Sequence, residues 1–109
     1  LSAARYSLAA IAQRDLEEIW LFIARDSERH ANAVADAILE TCQQAAENPS
    51  LGHHRQELRN RSILFLAARK YPKYLVAYLD DTSPLQVLRI LHGARNLRRI
   101  FAAKDGNRR

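Results

Sequence analysis

The sequence predicts an α+β fold: an N-terminal strand, an antiparallel two-helix hairpin packed on a mainly antiparallel sheet, and a short C-terminal helix. Three observations predict it. Two amphipathic helical patterns fill the first half of the 109 residues, three apolar strand-like runs fill the second, and Asn48-Pro49-Ser50-Leu51-Gly52 separates them. Helices followed by antiparallel strands fit a layered arrangement in which the hairpin covers one sheet face.

Residues 5–8 read as the first strand, with Ser7 positioned to cap a helix over residues 9–25. Leu16, Ile19, Trp20 and Ile23 follow the i, i+3, i+4, i+7 spacing of one apolar stripe. Trp20 on that stripe is expected in the core, and Asp15, Glu17 and Glu18 on a solvated face. A second helix over residues 28–47, capped by Ser27, repeats the pattern in Ala31, Val34, Ala35, Ile38, Leu39, Cys42 and Ala46. Its small residues allow close approach, so the two helices should form the hairpin. Pro49 and Gly52 then stop the helix and permit a reversal. Strands are expected over residues 62–68, 74–80 and 85–92, with Asp80-Asp81-Thr82-Ser83-Pro84 as a hairpin loop. Tyr74 and Tyr78 share a sheet face, and Tyr78 is expected in the core.

At this length the chain should be a single domain, structured over about residues 5–102, with a flexible tail over 103–109. The lone Cys42 excludes an internal disulfide and a cysteine-based zinc site. No apolar run reaches the roughly 18 residues of a membrane span, so a soluble cytoplasmic protein is expected. The chain has no Met; Leu1 is then either a literal reading of an alternative start codon or the product of trimming, and residues 1–4 do not resemble a signal peptide. The net charge of +5 conceals a division. Residues 1–50 hold four Lys or Arg against eight Asp or Glu, a net of −4, whereas residues 51–109 hold thirteen against four, a net of +9. The basic half would attract an acidic protein segment, a phosphate backbone or a ribosome.

The last predicted strand runs directly into His92-Gly93-Ala94-Arg95-Asn96-Leu97-Arg98-Arg99-Ile100. Strict alternation would point Val87, Arg89 and Leu91 one way and Leu88, Ile90 and His92 the other, delivering Arg89 and His92 to a strand end beside a glycine that can turn sharply. Arg89-Ile90-Leu91-His92-Gly93-Ala94-Arg95 resembles the R-[IV]-[LV]-H-G-[AR]-R signature of the ParE branch of the ParE/RelE superfamily of small bacterial toxins. Three further segments resemble that family in the right order. They are Asp15-Leu16-Glu17-Glu18-Ile19-Trp20, the 48–52 junction, and Tyr71-Pro72-Lys73-Tyr74-Leu75-Val76-Ala77-Tyr78. The likeness spans residues 6–102, with Leu79 and Asn96 departing from the usual arginine and aspartate.

The resemblance implies the toxin of a type II toxin–antitoxin pair, of the kind tied to plasmid stabilisation and stress response. A ParD-like antitoxin would neutralise it, and DNA gyrase would be its target. No cofactor, no metal, no membrane and no sequence-specific DNA binding is expected. Relatives of the RelE branch instead cleave mRNA in the ribosome, and fold alone does not separate the two activities. Cleavage by 2′-OH attack needs a proton acceptor, a proton donor and cations at the phosphate. The RelE branch places a tyrosine six residues after an arginine in its terminal segment; the same count from Arg95 reaches Phe101, which has no exchangeable proton. A nuclease would therefore have to use His92 with Arg89 and Arg95, although His92 is expected to fix the turn by bonding to backbone. The expected target-binding set is Arg89, His92, Arg95, Arg98, Arg99, Arg59 and Arg61, with Trp20, Tyr74, Tyr78 and Arg89 as antitoxin contacts. His53-His54 is expected to be a solvated loop, since no second cluster stands at metal-ligand spacing.

Overall fold

The computed structural model describes residues 4–56 and 58–93. Along them run strand β1 (Tyr6–Leu8), helix α1 (Ala10–Ala24), helix α2 (Glu28–Glu47), a 3-10 turn (Pro49–Leu51), and strands β2 (Ile63–Ala68), β3 (Tyr71–Leu79) and β4 (Leu85–His92). The expected C-terminal helix and tail lie outside the described residues. The strands form one sheet in the order β1-β4-β3-β2. The two hairpin pairings are antiparallel, and β1 lies parallel to β4 with Tyr6 opposite Leu85.

Helix α2 begins where Ser27 accepts a 3.0 Å bond from the His30 amide, an N-cap that satisfies one of the free N–H groups of the first turn. Ser7 does not cap α1. The N-cap is Ala9, without a side-chain bond, while Ser7 Oγ donates to Gln86 Oε1 across the parallel pairing. Pairing with β4 has taken the hydroxyl that local sequence reserved for the helix. On α2 the buried line is Ala31, Val34, Ala37, Ile38, Thr41, Cys42 and Ala45. Ala35, Leu39 and Ala46 are half-buried, so the true stripe is turned slightly from the expected one. Thr41 is admitted to it because its Oγ1 donates to the Ala37 carbonyl at 2.8 Å.

The main core lies between the hairpin and the sheet, where Val34, Ile38 and Cys42 meet Leu64, Val76, Tyr78, Val87 and Ile90, with Leu16, Ile19 and Ile23 of α1 packed against them. Each fully buried aliphatic chain there contributes about 1.5–3 kcal/mol. The opposite sheet face is covered as well: Leu58 packs with Phe65, Leu75, Ala77 and Leu91.

Tyr78 ties the two halves of the fold together. Its hydroxyl donates to the Pro49 carbonyl at 2.6 Å and accepts from the Gly52 amide at 2.9 Å, so the core strand fixes the junction after α2. Gly52 has ordinary extended angles; its need for glycine is close approach, since a Cβ there would lie 2.6 Å from the Tyr78 hydroxyl. Strand β3 begins three residues before the expected start because Tyr71 pairs with Ala68 across a tight turn in which Lys70 has a φ of +70°. Strand β4 does not alternate throughout. A bulge in its pairing moves the partner of Tyr78 to Val87 and that of Ala77 to Arg89, leaving Leu88 as the extra residue. Val87 and Ile90, three apart, consequently share the helix-side core, whereas Leu91 joins the opposite face.

Candidate functional site

The end of β4 places its two polar side chains differently. Arg89 follows the bulge, and its guanidinium reaches Asp15 of α1 in a two-pronged pair, Nε to Oδ2 at 2.8 Å and Nη2 to Oδ1 at 2.9 Å. The same Oδ2 accepts the Ile90 amide at 3.0 Å. Beyond β1 the edge of β4 would present that amide unpaired, and the carboxylate closes it. The side chains are only 16% and 12% exposed. Hydrogen bonding to Asp15 holds the Arg89 guanidinium above its ordinary pKa against the opposing effect of burial, with the negative charges of Asp15 and Glu18 adding to it. Asp15 therefore is no part of a solvated face, and Arg89 is a fixed internal cation.

His92 lies opposite Tyr74 on β3, their rings edge to face with centroids 5.1 Å apart. Gly93 follows with a φ of +68°, the left-handed turn anticipated for it. Arg95, Arg98, Arg99 and Phe101 lie outside the described residues. Arg59 and Arg61 are exposed, but they precede β2, whose first residue, Ile63, pairs with Leu79 and so stands at the end of the sheet where β4 begins. Leu79 in turn pairs with Gln86, six residues before His92, or about 20 Å along the strand. The fold thus separates Arg59 and Arg61 from His92.

Other cations take their place. Arg69 and Lys70 form the β2–β3 turn, and Lys73 lies on β3 next to Tyr74, the partner of His92; all three are exposed. The Lys73 carbonyl is the nearest neighbour of the site a Gly93 Cβ would occupy, at 4.0 Å. Strand propensity alone begins this strand at Tyr74, which leaves Arg69 and Lys70 without an element and Lys73 ahead of the strand, although the segment that resembles the family already begins at Tyr71. The short span between two apolar runs was the available signal for a tight turn.

On the sheet face away from the helices, His53, His54 and Arg55 rim a depression of about 310 Å³ whose floor is Phe65, Ala67 and Leu75. This segment is not simply a solvated loop: His53 and Phe65 exchange backbone bonds of 2.9 Å in both directions, and the Arg55 guanidinium stands 5.7 Å over the Phe65 ring. By alternation Lys73 lies on the same face as Leu75. Together Arg55 and Lys73 offer positive charge beside an apolar floor, suited to carboxylates or phosphates of a larger partner.

Of the anticipated antitoxin contacts, Tyr78 is 0% exposed and presents no surface. Tyr74 is also buried, and burial pushes its hydroxyl pKa up. Trp20 is half-buried and is not in the main core; its Nε1 donates to Asn32 Oδ1 at 2.7 Å, tying α1 to α2. Among the described residues no group of three His, Cys, Asp or Glu could hold a metal ion, and no helix is long and apolar enough to cross a membrane.

Comparison with known proteins adds an independent finding. The family model described as the ParE toxin of the type II toxin–antitoxin system, parDE, matches residues 6–97. No curated protein matches the chain. Among solved structures it is similar to a chain of the chromosomal ParDE TA system from P. aeruginosa, with a TM-score of 0.66 and 15% identity over 83% of this chain and 96% of that one. At that identity the likeness is one of fold.

Proposed function

The chain belongs to the ParE toxin family of type II toxin–antitoxin systems, and on that premise we propose that it acts by binding its target, DNA gyrase, and is neutralised by a ParD-like antitoxin. The observation that carries binding over catalysis is the pairing of Arg89 with Asp15. A nuclease built on His92, Arg89 and Arg95 would need the Arg89 guanidinium at a scissile phosphate. Both of its prongs are instead occupied by a carboxylate. Phe101 at the counted tyrosine position supports the same reading.

The target surface is then the basic face around the β4 end: Lys73, Arg69 and Lys70 with the His53–Arg55 rim, joined by Arg95, Arg98 and Arg99 from the following segment. Arg59 and Arg61 would extend it toward the far end of the sheet. The antitoxin would lay an acidic amphipathic segment against this half, where its carboxylates meet a net positive charge. The ParDE assembly of the P. aeruginosa neighbour supports such a partner.

Supercoiling by purified gyrase in the presence of the purified chain tests the target. Inhibition that an added ParD-like antitoxin relieves is the expected result. Ribosome-stimulated mRNA cleavage that His92→Ala abolishes in a folded protein would replace this reading with an endoribonuclease.

A further inference from the structure

Helix α1 carries three large apolar side chains that the fold leaves in solvent: Ile11, Leu21 and Phe22, at 49%, 59% and 67% exposure. At about 100° per residue, Ile11 lies between Glu18 and Phe22 around the helix, about 20° from each. Arg14 and Arg25 flank that line on one side, with Leu21 beyond them. Asp15 lies on the other side, where Arg89 already neutralises it. This face lies well off the line of Leu16, Ile19 and Ile23 that meets the core. Arg14 and Glu18 make no ion pair among the described residues.

We propose that this face of α1 docks against the same face of a second copy of the chain, the two helices antiparallel about a two-fold axis between Leu16 and Glu17. Ile11 then lies opposite the second copy's Phe22, and Arg14 falls within one residue of the second copy's Glu18. Symmetry makes each contact twice. The face is complementary to itself in charge as well as in apolar character, because Glu18, which makes no ion pair among the described residues, meets the arginine of the other copy. An acidic segment of the kind proposed to neutralise the basic half is the competing occupant, since Arg14 and Arg25 would attract it, and the test below separates it from the second copy. A lone helix pair falls short of the roughly 1,200 Å² of a standard interface, so the dimer is weak and concentration-dependent. Packing of this kind is ordinary ridge-into-groove contact between helices.

Sedimentation of the full chain, refolded without any partner, across low to high micromolar concentration tests the proposal. The mass should climb from monomer toward dimer. Phe22→Asp should weaken association by about a hundredfold, since each buried phenylalanine is worth about tenfold and symmetry counts it twice. The exposed Phe22 ring meets the Arg25 guanidinium at 5.8 Å, so unfolding of the monomer at low concentration should shift little, which circular dichroism verifies. Arg14→Glu and Glu18→Arg should each weaken the dimer by like-charge contact, and combining them should restore it. The proposal is overturned by a chain that stays monomeric throughout, by a dimer indifferent to Phe22→Asp, or by a double reversal no better than its singles. A monomeric chain whose Phe22→Asp variant instead loses affinity for an acidic antitoxin segment would assign the face to that partner. Gyrase inhibition is read separately, so failure here leaves the proposed target standing.

Discussion

At Gly52 an added methyl group would have to sit 2.6 Å from the Tyr78 hydroxyl and 2.9 Å from Leu64 Cβ, and neither neighbour is the free end of a flexible chain. Gly52→Ala is therefore expected to cost about 1–3 kcal/mol through overpacking, measured as a lower denaturation midpoint. Tyr78→Phe removes the other side of the same contact, leaving the Pro49 carbonyl and Gly52 amide unpaired for a similar loss of about 1–3 kcal/mol. Because one arrangement underlies both, the double variant should lose less than the sum. Cys42 supplies a pH dependence. Burial pushes its thiol from 9.0 up to about 12, so the folded state holds this proton more tightly than the unfolded chain does. The resulting stability is fully present below about pH 9 and is lost as pH rises toward 12. Denaturation midpoints should fall across that window, and Cys42→Ala should flatten the fall. The burial-raised hydroxyls of Tyr6, Tyr74 and Tyr78 set the slope that remains.

The helical hairpin shows which elements local sequence specifies. Ser27 stands in an extended conformation directly before the α2 stripe, and Ser27→Ala should cost about 1 kcal/mol in thermal unfolding. Both bounds of α2 were legible because its cap, its stripe and its Asn48-Pro49 stop agree. Strand β4 is the counter-example. Its bounds were legible, yet the facing of its side chains was not, because a bulge is written in the pairing with Tyr78 and Ala77 and not in the residues of β4 themselves. The candidate site inherits that difference: Gly93 behaved as its composition implies, while Arg89 and Asp15, 74 residues apart, could be paired only by the tertiary fold. Asp15→Ala should strand a largely covered guanidinium and open the Ile90 amide, at a cost of about 2–4 kcal/mol. Arg89→Ala should lose a comparable amount, with strong non-additivity in the double variant. If Arg89 acts only through the fold, a variant that restores stability elsewhere should recover the toxicity lost with it. Recovery of stability without toxicity would return Arg89 to the target-binding set.

For the molecule as a whole, the uneven charge predicts how partners respond to salt. Neutralising exposed cations at the β4 end, as in Arg69→Ala with Lys73→Ala, should slow association with the target while unfolding stays within about 0.5 kcal/mol, the usual range for surface changes. Stopped-flow rates at two ionic strengths check this, and the variant should show the shallower salt dependence. Lys70 needs a separate control, because its φ of +70° favours glycine. Lys70→Gly should keep or raise the melting temperature even as it removes a charge. The parallel pairing of Tyr6–Leu8 with Leu85–Val87 has a bearing on the order in which the protein is made. Strand β1 leaves a ribosome well before β4, its neighbour in the sheet, and α1 has no Arg89 to clasp until β4 follows. A polypeptide released before β4 would keep its hairpin but lack the centre of its sheet. Emergence of β4 thus becomes the condition for a continuous sheet, and until then the helical hairpin stands without the strand that completes the cover over its apolar stripes.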